Sequence, residues 1–400
     1  DITNGQAGAK NHASGLNNQK GDVVNAGDSL YIEATSITQA DGARARVDAV
    51  NNLYGAETAI GNDLVIAAKA KGTTGEIKSY AVYNYQSEFK TGANAVITTS
   101  AAGNADNSNV NAWAVINQDN SQTTFGDNVK IQARASESGL SVAVLNQTDS
   151  IVDFEGSLYV DGEGFSLYST GGAVTNALAA GKDKILIGDM YSNSDGQINV
   201  LLDTADSLFE GAALIGTAGG EINFTMSDLS LWRMLGDSSV TALAASSGAI
   251  VDMTQYDDYQ QLEISELSGS GGEFIMKTDL ASETDGDKLY VTDAAAGTSQ
   301  FVQVNDVSII NGAVVTGDKK LLLITDASKN VEFIGKNLNN GGLWDITPTL
   351  ENGLAVGGSE EEWYLTKLRK EANNDTSVLL GAADNAYATV SYTHLRAHET

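Results

Sequence analysis

A two-part pattern that returns at a nearly constant interval constrains the fold of this chain more than any other feature. Its first part is the tetrapeptide Ala-Val-x-Asn, with copies starting at residues 49, 81, 114, 143 and 173, which are 32, 33, 29 and 30 residues apart. Its second part follows about ten residues after most copies and consists of a Gly or polar turn and then apolar-x-apolar. It reads GNDLVIAA from Gly61, GANAVITT from Gly92, GDNVKIQA from Gly126, EGSLYVDG from Glu155 and GKDKILIG from Gly181. Phased copies of such a pattern indicate a repeat protein.

Each repeat unit has the composition of short β-strands separated by tight turns. Segments such as 64–66 and 129–131 are brief, rich in β-branched residues and bounded by Gly, Asn or Asp. A unit of this length with two or three strands is one coil of a parallel β-helix, in which coils stack ~4.8 Å apart. A β-propeller has a similar period, but its blades need four strands in ~40–45 residues and aromatic motifs that are missing here. The pattern therefore predicts an all-β parallel β-helix, a solenoid.

The β-helix model predicts which side chains stack on one another. Residues 20–365 are expected to form one continuous β-helix of ~11–15 coils at ~22–30 residues per coil. The Asn residues that end the tetrapeptides are expected to form a buried amide ladder, as at Asn84, Asn117 and Asn146. Two inward apolar stacks are predicted, one of Val50, Val82, Val115, Val144 and Val174, and the other of Ile66, Ile131, Val160 and Ile187.

Composition excludes several classes of function. The 400 residues include 52 acidic and 23 basic side chains, for a net charge of -29, and no cysteine. This charge repels nucleic acid and anionic membrane surfaces, so nucleic acid is not expected as a partner. The absence of cysteine excludes disulfides and cysteine-ligated metals. No run of 18 apolar residues is present, so no membrane-spanning helix is predicted.

The C-terminal third carries a succession of elements typical of a known family. Trp232 is followed by Ser238-x-Val240-x-x-Leu243, and Leu267-Ser268-Gly269 leads to Phe274, Thr278 and Asp279. The series continues with Asp287-Lys288-Leu289, Gly297, Trp344 and Trp363-Tyr364-Leu365. Over residues 220–368 this order resembles the pertactin-like passenger domain of type V autotransporters. The resemblance implies a right-handed parallel β-helix whose C-terminal coils cap the rod and promote its own folding outside the cell.

The resemblance also implies a domain plan. The predicted parts are an irregular N-terminal edge of a fragment (1–20), the β-helix passenger with its repeats (20–260), an autochaperone-like C-terminal cap (260–368) and the start of a linker (369–389). An outer-membrane β-barrel in the same polypeptide is expected to follow. The chain is expected to begin within a longer protein and to end within the linker.

The last eleven residues, 390–400, carry a tempting pair of histidines. His394 and His398 lie four residues apart, a spacing that puts two metal ligands on one helix face. However, the string VSYTHLRAHET resembles one reading frame of an adaptor used in transposase-based sequencing libraries. Residues 390–400 are therefore predicted to be an artefact and the pair is excluded as a site.

Without that tail, His12 is the one histidine left, and no catalytic arrangement emerges. Gly27-Asp28-Ser29-Leu30 matches the GDSL block of esterases, but it occupies the turn position of the repeat, and no Asp-x-x-His follows near the C-terminal end. Asp285-Gly286-Asp287 lacks the spacing of a calcium loop and is interpreted as a turn before a strand. Trp113 is interpreted as a core or stacked residue rather than a ligand platform. No catalytic, cofactor-binding or metal-ligating residue is predicted.

The sequence thus favours a surface-displayed, non-catalytic adhesin or structural rod. The alternative is a β-helix enzyme that acts on polysaccharide, which needs clustered carboxylates with Lys, Arg or calcium; basic residues look sparse and scattered between 47 and 200. A free-standing repeat protein is a third class, disfavoured by the resemblance. Expected partners are the chain's own β-barrel, the barrel-assembly machinery and a host-cell or bacterial surface receptor. The expected location is the cell surface of a Gram-negative bacterium, anchored through the outer membrane, with no cofactor.

Overall fold

The computed structural model describes residues 2–4, 10–105, 107, 109–310, 319–338 and 344–373. Within these ranges the chain forms 33 strands and two short helices, α1 (Val307–Ile310) and α2 (Gly353–Val356). The strands of the N-terminal half are β1 (Ile2–Asn4), β2 (Lys10–Gln19), β3 (Val23–Ala26), β4 (Tyr31–Thr38), β5 (Arg44–Leu53), β6 (Glu57–Ile60), β7 (Val65–Lys71), β8 (Ile77–Tyr85), β9 (Glu88–Thr91), β10 (Val96–Ala102), β11 (Val110–Gln118), β12 (Gln122–Phe125), β13 (Val129–Ala135), β14 (Leu140–Gln147), β15 (Ile151–Phe154), β16 (Leu158–Thr170), β17 (Val174–Ala177) and β18 (Lys184–Asn193). Those of the C-terminal half are β19 (Gln197–Leu202), β20 (Leu208–Glu210), β21 (Ala213–Ile215), β22 (Glu221–Met226), β23 (Leu231–Arg233), β24 (Ser238–Ala245), β25 (Ile250–Asp252), β26 (Gln261–Ser268), β27 (Ser270–Thr278), β28 (Lys288–Ala294), β29 (Thr298–Asp306), β30 (Leu321–Asp326), β31 (Val331–Gly335), β32 (Trp344–Asn352) and β33 (Glu362–Ala372).

The strands stack into a parallel β-helix, which confirms the predicted all-β solenoid. One sheet of 14 strands takes one strand from each coil, from β3 through β30, before it ends in the antiparallel strands β33 and β32. The other sheet of 19 strands has two columns. The first column runs from β1 and β4 through β16 to β31, and the second from β2 and β5 through β16 to β21. The long strand β16 belongs to both columns, so the two columns are one bent sheet.

The first column carries a continuous apolar stack through the rod. Its buried members occupy equivalent register positions in successive coils: Ile32, Ile66, Ile97, Ile131, Val160, Leu186, Phe209, Trp232, Val251, Phe274 and Val302. The prediction of Ile187 in this stack is wrong, because Leu186 pairs with Val160 and Ile187 faces outward, half-buried. Side chains alternate between the faces of a strand, so an error of one residue reverses the face.

The second column confirms four of the five predicted valines. Val50, Val82, Val115 and Val144 are in register and fully buried. Val174 is a wrong prediction, because it pairs with Ile151 in the 14-stranded sheet, and Leu167 takes the position next to Val144. The coil shortens at this point, so the fifth tetrapeptide falls on a different face of the rod.

The prediction of an asparagine ladder is wrong for Asn176, which lies on β17 in the 14-stranded sheet and donates to Asp153 at 2.9 Å. The predicted ladder is present for the other four tetrapeptides. Nδ2 of each residue donates to Oδ1 of the next, at 2.8 Å from Asn52 to Asn84, 2.8 Å from Asn84 to Asn117 and 3.0 Å from Asn117 to Asn146. Asn18 adds a rung at 3.3 Å to Asn52. These asparagines are 0–2% exposed, and the same amides also donate to backbone carbonyls of the next turn, such as that of Glu88 at 2.7 Å. The ladder joins five coils along one corner of the rod.

Both ends of the rod differ from the predicted plan. Residues 10–19 form β2 in register with β5, so the predicted irregular edge over 1–20 is wrong for this segment. Leu16 and Asn18 pair with Val50 and Asn52, so they complete an earlier copy of the repeat whose tetrapeptide differs in sequence. At the C-terminal end, the antiparallel pair β32–β33 lies against β30 instead of a further parallel coil. An antiparallel pair covers a strand edge that would otherwise be open.

The C-terminal segment is apolar, as its sequence predicts. Phe274, Leu289, Leu321, Leu323 and Phe333 are buried, and Trp363 packs edge-on against Phe333 with ring centroids 5.8 Å apart. The side chain of Trp344, predicted to belong to this group, lies outside the described residues, as do His394 and His398. In the described part of the chain, no helix is long and apolar enough to cross a membrane.

Candidate functional site

The first coils of the rod carry an extension that creates a bend in the outer surface. The ends of β4, β7, β10 and β13 pack on the beginnings of β5, β8, β11 and β14. Small buried residues fill the space between them, such as Ala70, Ala101 and Ala112, and Oγ1 of Thr99 donates to Oγ of Ser79 at 2.8 Å. We call this extension the fin. Because small side chains let the two layers approach closely, the fin stands out as a thin double layer beside the rod.

Where the fin meets the rod, outward side chains of the second column form a separate apolar cluster. Tyr80, Ile116, Val142 and Leu145 are buried there although they lie outside the main core, and half-buried Tyr83, Trp113, Phe165 and Tyr168 pack on them. Two register lines supply these residues: one runs from Tyr80 to Trp113, Val142 and Phe165, and the other from Tyr83 to Ile116, Leu145, Tyr168 and Tyr191. We call the two lines together the aromatic stripe.

The rings of the aromatic stripe contact one another from coil to coil. Tyr80 and Trp113 are stacked with centroids 5.2 Å apart, and Tyr168 and Tyr191 meet edge-on at 4.8 Å. Burial raises the pKa of Tyr80 and of Tyr168 above their ordinary values, so these phenols stay neutral. The prediction that Trp113 is a stacked residue is confirmed. Trp113 is half-buried on the outer face, so part of its ring is in contact with solvent.

A basic cleft lies at the N-terminal end of the stripe. It has a volume of ≈ 310 Å³ and is lined by Lys10, Asn11, His12, Arg44, Ala45, Arg46, Glu76 and Lys78. The register explains the clustering, because Lys10 pairs with Arg44, His12 with Arg46, and Arg46 with Lys78 on adjacent strands. An adjoining cleft of ≈ 480 Å³ shares Arg44, Glu76 and Lys78 and extends toward Asn109 and Asn111. We call the two together the basic cleft.

Two carboxylates organise the cations of the basic cleft. Asp48 is buried and accepts hydrogen bonds from Nε of Arg46 at 2.9 Å and from Nε2 of His12 at 2.6 Å. Glu76 pairs with Lys78 and, at 3.5 Å, with Arg44, and the ammonium of Lys78 lowers the pKa of Glu76. Lys10 is exposed and makes no ion pair with any described residue. The Arg46 guanidinium lies 5.1 Å from the ring centroid of Tyr80, which connects the basic cleft to the aromatic stripe.

The charge of the basic cleft is opposite to that of the whole chain. Its ≈ 310 Å³ part is lined by four permanent cations, against the two carboxylates of Glu76 and the buried Asp48, in a chain with 52 acidic and 23 basic residues. A local excess of one charge in a concave surface concentrates ligands of the opposite charge. The basic cleft is therefore suited to an anionic ligand.

The esterase-like block is a structural turn. Ser29 lies between β3 and β4 with φ of 67°, and Asp63, Asn94 and Asn128 share this left-handed conformation in the later coils, at 59°, 62° and 56°. Oδ1 of Asp28 accepts a 2.8 Å hydrogen bond from the backbone N–H of Asn62. The interpretation of Gly27–Leu30 as a turn of the repeat is thus confirmed, and no hydrogen bond joins His12 to a serine hydroxyl within the described structure.

The other short motifs also have structural roles. The glycine-rich segment 269–272 begins strand β27, which contains Gly271 and Gly272. Asp287 precedes β28, and its buried carboxylate accepts from the backbone N–H groups of Gln260 at 2.8 Å and Lys277 at 2.5 Å. The turn itself lies just before this segment, at 280–284, and Gly286 forms an isolated bridge with Thr278, so the interpretation of 285–287 as the turn is wrong by a few residues. Among the residues that the structure describes, no three acidic, His or Cys side chains come together in a way that would hold a metal ion.

The sequence did not reveal the basic cleft, although a signal was present. Lys10 and His12 precede Arg44 and Arg46 by one coil, but the first coil has Gly15-Leu16-Asn17-Asn18 in place of Ala-Val-x-Asn. Alignment of residues 15–18 with residues 49–52 would have placed Lys10 beside Arg44 and His12 beside Arg46.

Part of the chain matches a known protein family. Residues 239–367 match the family model described as Pertactin. The chain is also similar to the crystal structure of the Haemophilus influenzae Hap adhesin, with 13% sequence identity and a TM-score of 0.39. That similarity covers 84% of this chain and 33% of the other, so the chain spans about a third of that protein's length. No curated protein matches the chain in sequence.

Proposed function

We propose that this chain, with its pertactin-like segment at 239–367, belongs to the surface-displayed passenger of a Gram-negative autotransporter. In this proposal the passenger is a non-catalytic adhesin or structural rod, and an outer-membrane translocator in the same polypeptide delivers it with the help of the barrel-assembly machinery. Residues 260–368 promote folding of the rod outside the cell. The partner is a surface receptor on a host cell or another bacterium.

One observation carries the proposal: the family match covers the coils with which the parallel ladder ends. The matched segment includes β25 to β32 and the first six residues of β33, which forms the antiparallel cap with β32. The end of a solenoid whose strand edge is covered is a suitable template for the coils stacked on it, because each coil is stabilised mainly by its neighbours.

The test is protease treatment of intact Gram-negative cells that express the full-length gene. The proposal predicts that external protease releases fragments containing the repeats while a periplasmic marker stays intact. If the repeats become accessible only after the outer membrane is broken, the chain is not a surface passenger. A strain whose translocator segment is deleted serves as the control for release from lysed cells.

A polysaccharide-active enzyme is the second candidate, and the basic cleft is the observation that favours it. Arg44, Arg46 and Lys78 lie beside the carboxylates of Asp48 and Glu76, the residue types that bind and act on uronates. However, both carboxylates are held in ion pairs, and the lowered pKa of Glu76 makes it a poor proton donor. Incubation with uronate polymers decides between the candidates: new reducing ends or unsaturated products would establish an enzyme.

A further inference from the structure

We propose that the basic cleft and the aromatic stripe form one groove that binds an anionic polysaccharide, a repeating chain of sugars that carry carboxylate or sulfate groups. This inference rests on the proposed function, since it names the chemical class of the receptor, but it concerns a property of the purified chain that can be measured without cells.

The basic cleft supplies anion recognition. Arg44, Lys78 and Lys10 have exposed or half-exposed side chains on the outer face of adjacent strands, within reach of the same concave space. Guanidinium and ammonium groups form charge-assisted hydrogen bonds with carboxylates and sulfates. Asp48 and Glu76 hold the cations in place and reduce the flexibility that binding would otherwise have to remove.

The aromatic stripe supplies contacts for the sugar rings. Tyr83, Trp113 and Tyr168 present half-buried rings whose outer parts face solvent. A pyranose ring has apolar C–H faces and polar edges, so it stacks on an aromatic ring while its hydroxyls stay hydrated. The stripe follows directly from the basic cleft, because Arg46 lies against Tyr80 and Tyr80 stacks on Trp113.

The length of the groove indicates a polymer. It extends over seven consecutive strands of the second column, from β2 to β18, which at ~4.8 Å per strand gives roughly 30 Å. A surface that presents side chains at a constant interval matches a ligand with a constant repeat. A single sugar or small anion would occupy only the basic cleft.

Charge density favours a polysaccharide over nucleic acid. Double-stranded DNA carries one charge per ~1.7 Å of its axis, and the remaining surface of a chain with a net charge of -29 repels such a polymer strongly. A polysaccharide with one charge per sugar, or with neutral sugars between charged ones, carries fewer charges per unit length and experiences less repulsion outside the basic cleft. Such a polysaccharide therefore binds through the local cations and the aromatic rings without strong repulsion from the rest of the surface.

The experiment is titration calorimetry of the purified chain with three probes. Size-fractionated polygalacturonate tests carboxylates, heparin-derived oligosaccharides test sulfates, and dextran is the neutral control. We expect one or both anionic probes to bind, with an affinity that falls as salt is added, and dextran to bind at least tenfold more weakly. Quenching or enhancement of the fluorescence of half-exposed Trp113 should accompany binding and disappear in Trp113→Leu.

Variants locate the binding. The triple variant K10Q/R44Q/K78Q should lose at least tenfold in affinity, since the loss of even one charge-assisted hydrogen bond costs about that much. Lys69→Gln is the matched control, because Lys69 is an exposed cation paired with Glu33 at 3.0 Å outside the groove, and it should change affinity less than twofold. Trp113→Leu keeps apolar bulk and should lose roughly three- to tenfold, whereas Tyr290→Leu, an exposed tyrosine on β28, should lose nothing. Thermal midpoints within a few degrees of the parent show that the variants are folded.

Several results would overturn the inference: no binding of either anionic probe, equal binding of dextran, equal losses in the control variants, or tighter binding of DNA or of an acidic protein than of both glycans. These outcomes are independent of cell-surface display. Binding by a chain that external protease cannot reach would contradict the proposed function alone, and a displayed chain without glycan binding would contradict this inference alone.

Discussion

Asn117 and Asn146 lie 29 residues apart in sequence but on neighbouring coils, where Nδ2 of Asn117 donates a 3.0 Å hydrogen bond to Oδ1 of Asn146. Asn117 is itself the acceptor for Asn84 at 2.8 Å and for Oγ1 of Thr123 at 2.9 Å. All these groups are buried. Each rung satisfies polar groups on two other coils, so the ladder couples the stability of one coil to that of the next.

Replacement of a middle rung tests this coupling. Asn117→Ala is expected to lower the free energy of unfolding by ~1–3 kcal/mol, because Asn84 loses its acceptor and Asn146 its donor while both stay buried. Asn199→Ala is the matched control: Asn199 donates to Asn176 and accepts from Asn223, each at 2.9 Å, on a half-buried face where water can replace the amide. Urea unfolding should give a clearly smaller loss for Asn199→Ala. Equal urea midpoints for the parent and Asn117→Ala would show that the ladder contributes nothing.

The sequence was sufficient for the fold class and insufficient for the register beyond the regular coils. The tetrapeptide correctly aligned Val50, Val82, Val115 and Val144, because coil length varies little among those copies. The prediction for Val174 was wrong, because the coil is shorter there and the tetrapeptide at 173–176 lies in the other sheet. The predicted inward position of Ile187 was wrong because Leu186 and Ile187 are both apolar, and composition does not decide which of two such neighbours faces inward.

The candidate site was harder to predict than the fold for a physical reason. Its residues are solvent-facing and come from different coils, so nothing in the local sequence marks Lys10, Arg44 and Lys78 as neighbours. The lateral pairing of strands brings them together. The aromatic stripe could not be predicted for a similar reason. Its rings alternate with core residues in strands whose sequences are apolar on both faces.

The turn at Ser29 yields a prediction about both chemistry and stability. Purified 1–389 is expected to hydrolyse neither peptides nor short-chain esters. Ser29→Asn should raise the free energy of unfolding by a few tenths of a kcal/mol, because Asn tolerates the left-handed backbone better than Ser. Thermal unfolding and a nitrophenyl ester assay check the two parts. Turnover that depends on Ser29 would contradict the interpretation of this segment as a turn.

Asp287 predicts an unusual dependence of stability on pH. Burial raises its pKa to about 7, although two backbone N–H groups donate to it. Since the pKa is ~3.9 in the unfolded chain, this group's contribution is fully present below about pH 4 and is lost as the pH rises to about 7. The loss amounts to roughly 2–4 kcal/mol. Urea midpoints at several pH values should therefore fall between pH 4 and 7 less steeply in Asp287→Asn than in the parent, and parallel curves would contradict the assignment.

Leu365 tests the importance of the antiparallel cap. Its fully buried side chain lies on β33, which pairs with Leu321 of β30 and Leu350 of β32. Leu365→Ala and Leu167→Ala, an equally buried leucine in a central coil, should each cost ~2–5 kcal/mol. If the cap templates folding, Leu365→Ala should reduce the yield of refolded protein more than Leu167→Ala does. Similar refolding yields at similar stability would argue against a special role of the cap.

Limited proteolysis in partial denaturant tests whether the rod is anchored at its pertactin-like end. Residues 260–366 are expected to keep their strands after the Ala-Val-x-Asn coils have melted, because this segment combines large buried side chains with a covered edge. Mass spectrometry of the surviving fragment should therefore map it to the C-terminal third of the chain. A surviving fragment that maps to residues 20–200 would show that the rod is not anchored at its C-terminal end.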